Sequence, residues 1–182
     1  MIKTTDQSKH DAILAVADLM VTAAITAPKG SGRDTVVAAV VTGEDKDKLR
    51  DIMLEFGQEI GEAFIIRDAD NVDRSECVVL IGCISQPFGL NNCSMCGFEN
   101  CAAMKKAGTN CVFNISDLGI AVGSAVSIAA DHRVDNRVMY SAGKGALRMG
   151  VFPDNIKIIY GIPLSAGSKS IYFDRNPGAI LK

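Results

Sequence analysis

Four cysteines in one short stretch of the chain have the residue type and spacing of a metal site. Cys93, Cys96 and Cys101 fall within nine residues and Cys111 follows after a short span, which gives the spacing C-x2-C-x4-C-x9-C. Thiolate sulfur is a soft, strong ligand for iron and zinc, and four cysteines are the normal ligand set of a [4Fe–4S] cluster. The spacing predicts a metal centre, and Gly97 beside the second cysteine is expected either to adopt a positive φ or to allow close backbone approach to a sulfide.

Three other roles for these thiols remain open. Zinc is the nearest alternative, although structural zinc sites favour two C-x2–4-C pairs, and Cys101 and Cys111 do not form such a pair. Disulfides need an oxidising compartment, and nothing in the sequence indicates export. Thiols that are inert or only redox-active could account for one or two positions. The spacing therefore favours an iron–sulfur cluster over zinc.

Two further cysteines lie outside this motif. Cys77 falls within an apolar run and is expected to be a small buried core residue. Cys83 lies at the end of the same run, close to the motif, so it could be a fifth thiol near the metal or an alternative ligand. Core packing is the favoured interpretation for both.

The motif resembles the small 4Fe-4S domain of electron-transfer and corrinoid-related proteins. That family has Cys-x-x-Cys-Gly-x-x-x-Cys, an Ala-rich helical turn, a Gly and a fourth Cys. The matching residues here are Cys93, Cys96-Gly97-Phe98, Cys101-Ala102-Ala103, Gly108 and Cys111. One position departs from the family, because Ser94 stands where the family often has Gly. The whole chain is similar to a group of uncharacterised ferredoxin-domain proteins.

Composition excludes several classes of function. The chain has 182 residues, of which 48% are hydrophobic and 22% charged, as in an ordinary soluble domain. A net charge of −2 gives no basic surface for nucleic acid. The polar N-terminus lacks the apolar core of a signal peptide, and no apolar run approaches the ~20 residues of a membrane span. We therefore expect a cytoplasmic protein that binds neither nucleic acid nor membrane.

Hydrophobic periodicity predicts the order of the elements. The expected elements are a helix over 9–26, a buried strand over 35–41, a helix of about 18 residues after Thr42 and a short strand over 64–66. A strong strand over 77–84, a helix over 116–130 with Ser116 as its N-cap, a short helix over 141–150 and a strand over 156–160 ended by Gly161-Ile-Pro163 follow. The predicted fold is one α/β (α+β) domain over 1–182, a central buried sheet flanked by helices with a Cys-rich insert at 83–111.

This order of elements resembles the fold of the flavin-dependent nitroreductases. The resemblance rests on the Ala27-Pro28 loop, on Asp117-x-Gly119-x-Ala121 and on Gly161-x-Pro163. It implies that FMN binds through Lys29, Ser31, Arg33 and Lys169, and that two copies form a homodimer through the small residues of 116–130. The arginine-rich segment that opens most family members does not precede the first helix here. An exposed basic turn is the competing interpretation of Lys29–Arg33.

The leading hypothesis is a redox protein with one [4Fe–4S] cluster, active in electron transfer or as a flavin-linked oxidoreductase. Glu99, between two ligands, is expected to lower the potential. The alternative is a structural or regulatory protein in which zinc or a labile cluster holds the cysteine-rich segment together and no catalysis occurs. A third possibility is an FMN-dependent enzyme of nitroreductase type whose thiols hold no metal. No Ser/His/Asp set or carboxylate pair indicates a catalytic residue, and the substrate and redox partner are unknown.

Overall fold

The computed structural model describes residues 2–173, which fold around a four-stranded antiparallel sheet with the strand order β1-β2-β4-β3. The strands are β1 Val36–Thr42, β2 Cys77–Ile84, β3 Asp135–Asn136 and β4 Ile156–Ser165. The helices are α1 Thr5–Thr26, α2 Gly43–Ile60, α3 Ala63–Asp73, α4 Cys101–Lys106, α5 Val112–Asp131 and α6 Tyr140–Met149. A 3-10 turn, Gly30–Gly32, lies between α1 and β1.

Helices cover both faces of the sheet. Because side chains alternate along a strand, β2 sends Val79 and Ile81 into a cluster with α1 and α5. It sends Val78 and Leu80 into a second cluster with α2, α3 and α6. β2 is buried along nearly its whole length. The predicted fold class, a central buried sheet flanked by helices, is confirmed.

The first strand differs from its prediction in position. Its continuous apolar run was expected to be buried on both faces, whereas β1 is an edge strand that pairs on one side with β2. Val36 and Val41 are buried, but the four residues between them are only half-buried. A short apolar run does not by itself distinguish a central strand from an edge strand.

Two helices begin earlier than their apolar patterns suggest. α1 begins at Thr5 rather than residue 9, because Thr4 and Gln7 form a capping box at its start. α5 begins at Val112, with Cys111 as its N-cap residue, so the predicted cap at Ser116 is wrong. Ser116 is an exposed residue within the second turn of that helix.

Two predicted strand features are also wrong. Residues 64–66 belong to α3, where Ile65, Ala69 and Val72 are buried at helical spacing. β4 continues through Gly161-Ile-Pro163 to Ser165, instead of ending at residue 160. Pro163 is tolerated because β3 pairs only with the two residues after it, so no β3 residue lies opposite the missing N–H.

The helix α6 packs against β4 at van der Waals distance from its backbone. A Cβ placed on Gly143 would lie 1.7 Å from the carbonyl oxygen of Ile159. On the opposite side of the same helix, a Cβ on Gly145 would lie 2.6 Å from Met53 of α2. Glycine at 143 is therefore required by the close approach of helix and strand.

By length and composition alone, α5 could cross a membrane, although the sequence analysis expects no such span. In the structure its buried residues, among them Leu118, Ala121 and Ala125, pack in the core cluster shared with α1 and β2. A core helix meets the same criteria of length and apolar content.

Candidate metal centre

Residues 85–100, here called the cysteine loop, carry the chain from the end of β2 to α4. Ser94 and Asn92 adopt the left-handed conformation, with φ of 46° and 56°, and Gly97 has φ of 84°. The predicted positive φ of Gly97 is confirmed. Ser94 adopts the glycine-like conformation that fits its position, where related motifs have Gly, and its hydroxyl donates to the carbonyl oxygen of Glu99 at 3.2 Å.

The cysteine loop and the helix starts after it bring all four motif cysteines to one place. Cys93, Cys96, Cys101 and Cys111 line a single, partly open cavity, here called the cysteine cavity. Cys111 is buried and the other three are half-buried. The rest of the wall is mainly apolar and includes Phe88, Leu90, Phe98, Met104 and Phe113. Thiols inside an apolar wall are what an iron–sulfur cluster needs to be shielded from water.

The thiols surround the cavity without converging on one point. Among residues 2–173, no three His, Cys, Asp or Glu side chains are grouped closely enough to hold a single metal ion. The space between the side chains is about 20 Å³, little more than one water molecule occupies. A cluster would therefore fit only if the cysteine loop draws outward, and no residue of that loop is fully buried.

Helix α5 places its N-terminus at the cavity. Cys111 is its N-cap residue, and its side chain makes no capping hydrogen bond. The free backbone N–H groups of a first helical turn carry partial positive charge, so the start of α5 favours negative charge in the cavity. Cys101 is the first residue of the short α4, whose start is capped by the side chain of Asn100 through a 2.9 Å bond from the Ala103 amide.

The aromatic wall of the cavity is joined to the turn that follows α1. The Phe88 ring lies 5.1 Å from that of Phe113, centroid to centroid. The guanidinium of Arg33, which does not line the cavity, lies over the Phe88 ring, 4.9 Å from its centroid. Phe88 and Phe113 were not predicted as site residues. Their one signal in the sequence is their position, since Phe88 shortly precedes Cys93 and Phe113 shortly follows Cys111.

The turn at residues 30–33 is in turn tied to α5. The amide of Gly30 donates to Oδ1 of Asp117 at 3.0 Å. Asp117 is buried, and its Oδ2 has no hydrogen-bond partner within the described part of the chain. One turn earlier, the buried Asn114 accepts a 2.9 Å bond at Oδ1 from the Gln86 amide. These two α5 side chains hold both the turn and the start of the cysteine loop in place.

Cys77 and Cys83 lie in the sheet, away from the cysteine cavity, and pack in the core cluster of α1 and α5. Burial raises the pKa of the Cys77 thiol to about 12. Burial, with the nearby charge of Asp117, raises the pKa of the Cys83 thiol to about 11. The raised pKa values disfavour the thiolate form of both residues, and neither lines the cysteine cavity. Their predicted place in the core is confirmed.

The residues predicted to bind FMN have different surroundings: Lys29 is bonded to the end of α1, whereas Ser31 and Lys169 are exposed. The ammonium of Lys29 donates to the carbonyl oxygens of Ala24 at 3.2 Å and Ala27 at 3.0 Å, and also to that of Ile25. It therefore closes the C-terminus of α1. Ser31 is exposed with φ of 54°. Lys169 is an exposed residue after β4.

Comparison with other sequences gives two matches. Residues 107–175 match the family described as "Uncharacterized protein containing a ferredoxin domain". This match includes Cys111 but begins after the other three motif cysteines. A protein from Archaeoglobus fulgidus, described only as uncharacterised, is 39% identical over 185 residues, which cover 97% of this chain and 99% of the relative.

Comparison with solved structures gives nitroreductase-like folds. A nitroreductase from Lactococcus lactis, solved with nicotinic acid, has a TM-score of 0.57 at 13% identity and covers 88% of this chain and 82% of its own. An oxidoreductase described as containing FMN has a TM-score of 0.54 at 13% identity, over 87% of this chain and 67% of its own. At this identity the likeness shows the fold alone, and it confirms the predicted nitroreductase-like fold.

Proposed function

Since the chain belongs to the family of uncharacterised proteins that contain a ferredoxin domain, we propose that it is a redox protein with one [4Fe–4S] cluster. The ligands are Cys93, Cys96, Cys101 and Cys111. The family and the oxidoreductase-like neighbours both suggest redox chemistry. When bound, the cluster would accept and release single electrons.

One observation carries the proposal: the four cysteines of the C-x2-C-x4-C-x9-C motif line the same cavity. They come from the cysteine loop, the start of α4 and the start of α5, so their meeting is a product of the fold and not of sequence proximity alone. The apolar wall supports the proposal too, because it would keep water and oxidants from the metal. The protein's own part is to bind, to shield and to set the potential through local charge.

The first experiment is anaerobic purification followed by iron, sulfide and zinc analysis. We expect about four irons per chain, the content of one [4Fe–4S] cluster, and a brown colour. Cys96→Ser should lose the iron, whereas Cys77→Ser should keep it, because Cys77 lies away from the cavity. Stoichiometric zinc without iron in native anaerobic protein would contradict the proposal and favour the structural or regulatory alternative.

A flavin-linked oxidoreductase is a second candidate, and one observation favours it. The fold matches that of an oxidoreductase described as containing FMN. Ser31, Arg33 and Lys169 are the proposed anchors for the phosphate, and Lys29 would join them only if its ammonium left the carbonyl oxygens at the end of α1. Titration of the protein with FMN, followed by flavin fluorescence, tests this candidate. An unchanged signal at tens of micromolar FMN would leave the cluster as the only redox centre.

We also propose that two copies associate through α5. The outward face of this helix is made mainly of small residues, and a Cβ on Gly119 or Gly123 would meet no atom of residues 2–173 within 4 Å. Ile120 on the same face and Leu19 on the adjoining α1 are 47% and 46% exposed. A symmetric homodimer would cover this surface.

Sedimentation of the protein at micromolar concentration should show a dimer. Gly123→Arg should shift it toward monomer, while Lys48→Ala on the far face of the sheet should not. A monomer at all concentrations would contradict this assembly.

A further inference from the structure

The turn after α1 holds the aromatic wall of the cysteine cavity from outside. The Arg33 guanidinium lies over the Phe88 ring, and its Nη1 donates to the Phe88 carbonyl oxygen at 3.4 Å. The Cα of Gly30 lies against the ring edge, because a Cβ there would come within 2.7 Å of Phe88 Cζ. Phe113 contacts the same ring from within the cavity wall. Phe88 is thus clamped between the turn and α5.

This arrangement fixes a part of the chain that would otherwise be free to move. Phe88 lies in the cysteine loop, five residues before Cys93, and loop residues are held less firmly than the sheet. Arg33 contacts both the ring and the backbone carbonyl oxygen of Phe88. The turn itself is anchored, because the Gly30 amide is bonded to the buried Asp117. The position of Phe88 in the cavity wall therefore depends on α5, which holds the turn, and on the turn, which holds Phe88.

We propose that Arg33 is a positioning residue for the cluster: it holds Phe88 as the outer wall of the cysteine cavity and places a positive charge behind that wall. The effect of the Arg33 charge rests on the proposed function, whereas the holding of Phe88 does not. When bound, the cluster would take up one electron from a chemical reductant such as dithionite, and the charge in the cavity would become more negative by one. A cation behind Phe88 stabilises that extra charge and raises the potential.

The holding part is tested on metal-free protein by hydrogen exchange of the segment 85–92. We expect Arg33→Ala to speed this exchange by about two- to fivefold, the factor that an exposed cation–π contact corresponds to. Phe88→Leu, which removes the ring but keeps Arg33, should have a similar effect. Lys48→Ala is the matched control, because it removes one exposed positive charge from α2 on the opposite face of the sheet. Wild-type exchange in Arg33→Ala would overturn the inference.

The charge part is tested on iron-loaded protein by a reductive titration followed spectroscopically. Arg33→Met, which keeps an apolar stem on the ring, should lower the potential, and Arg33→Lys, which keeps the charge, should stay near wild type. The difference should shrink at high ionic strength, because Arg33 is exposed. Equal potentials for the Met and Lys variants at low salt would overturn this part. A wild-type protein that binds no iron would refute the proposed function instead, and the exchange result would still decide whether Arg33 holds the wall.

Discussion

The junction of α6 with β4 and the cysteine loop show two different ways of fixing a backbone. At the junction, helix and strand touch so closely that Gly143 leaves no room for a methyl group beside Ile159. In the cysteine loop, every residue from 85 to 100 is exposed or half-buried, and the chain turns through left-handed residues such as Asn92 and Ser94. The first region is fixed by packing, and the second by a few hydrogen bonds and a clamped ring.

This difference implies that folding and metal binding are separate properties of the chain. Packed cores supply most of the free energy of folding, and the two core clusters on the faces of the sheet include none of Cys93, Cys96 and Cys101. The metal-free protein is therefore expected to fold, with a cysteine loop that opens at low free-energy cost. Metal would order that loop and leave the sheet as it is.

The largest effect is expected at the junction. Gly143→Ala should lower the free energy of unfolding by about 3 kcal/mol or more, because the methyl group would meet the Ile159 carbonyl oxygen and force α6 off the strand. Urea unfolding measures it. The control is Lys48→Ala, at an exposed position of α2, which should stay within about 0.5 kcal/mol of wild type. Equal stability of the two variants would break the comparison.

The next effect separates the two classes of cysteine. In metal-free protein, Cys77→Ser should lower the free energy of unfolding by about 1–3 kcal/mol, because a fully buried hydroxyl would lack a partner. Cys96→Ser, at a half-buried loop position, should change it by less than about 0.5 kcal/mol. Iron binding should show the reverse order, because Cys96→Ser should lose the iron and Cys77→Ser should keep it. A strongly destabilised, metal-free Cys96→Ser protein would show that the loop supports the fold.

The smallest effect concerns Tyr172, which anchors the segment after β4. Its hydroxyl lies 2.9 Å from Ser75 Oγ in the core, and burial raises its pKa to about 12. A raised pKa means that the neutral phenol is favoured by folding, so its contribution is complete below pH ~10 and is lost as pH rises toward 12. Tyr172→Phe should cost about 1 kcal/mol at neutral pH, and urea unfolding should show this difference shrinking between pH 10 and 12. A difference that stays constant over this range would contradict the raised pKa of the buried hydroxyl.

The sequence predicted the packed part of the fold well where its signals were redundant. The eight residues Cys77–Ile84 are apolar throughout, and the second helix has both acidic residues at its start and a regular apolar stripe, so β2 and α2 match their predictions. The fold class followed from these elements. The four motif cysteines stand out in the sequence because of their spacing, and the structure places all four around one cavity. That they bind metal remains a prediction.

The errors came from residues whose structure depends on distant partners. Phe64-Ile-Ile66 has β-branched residues typical of a strand, and only packing against α2 and α6 makes it helical. Pro163 suggests the end of a strand, but the shortness of β3 removes the need for its N–H. Arg33 over Phe88 joins residues 55 positions apart, and no local pattern reports such a contact.

The burial of Cys77 and Cys83 has a practical consequence for measuring this protein. Their thiols pack in the sheet with raised pKa values, whereas Cys93, Cys96 and Cys101 reach solvent in part. A thiol reagent added to native protein would thus mark the loop first and the sheet only in molecules that have unfolded completely. The masses of intact labelled chains would give two rates in one sample, one for local opening of the loop and one for global unfolding, without any engineered probe.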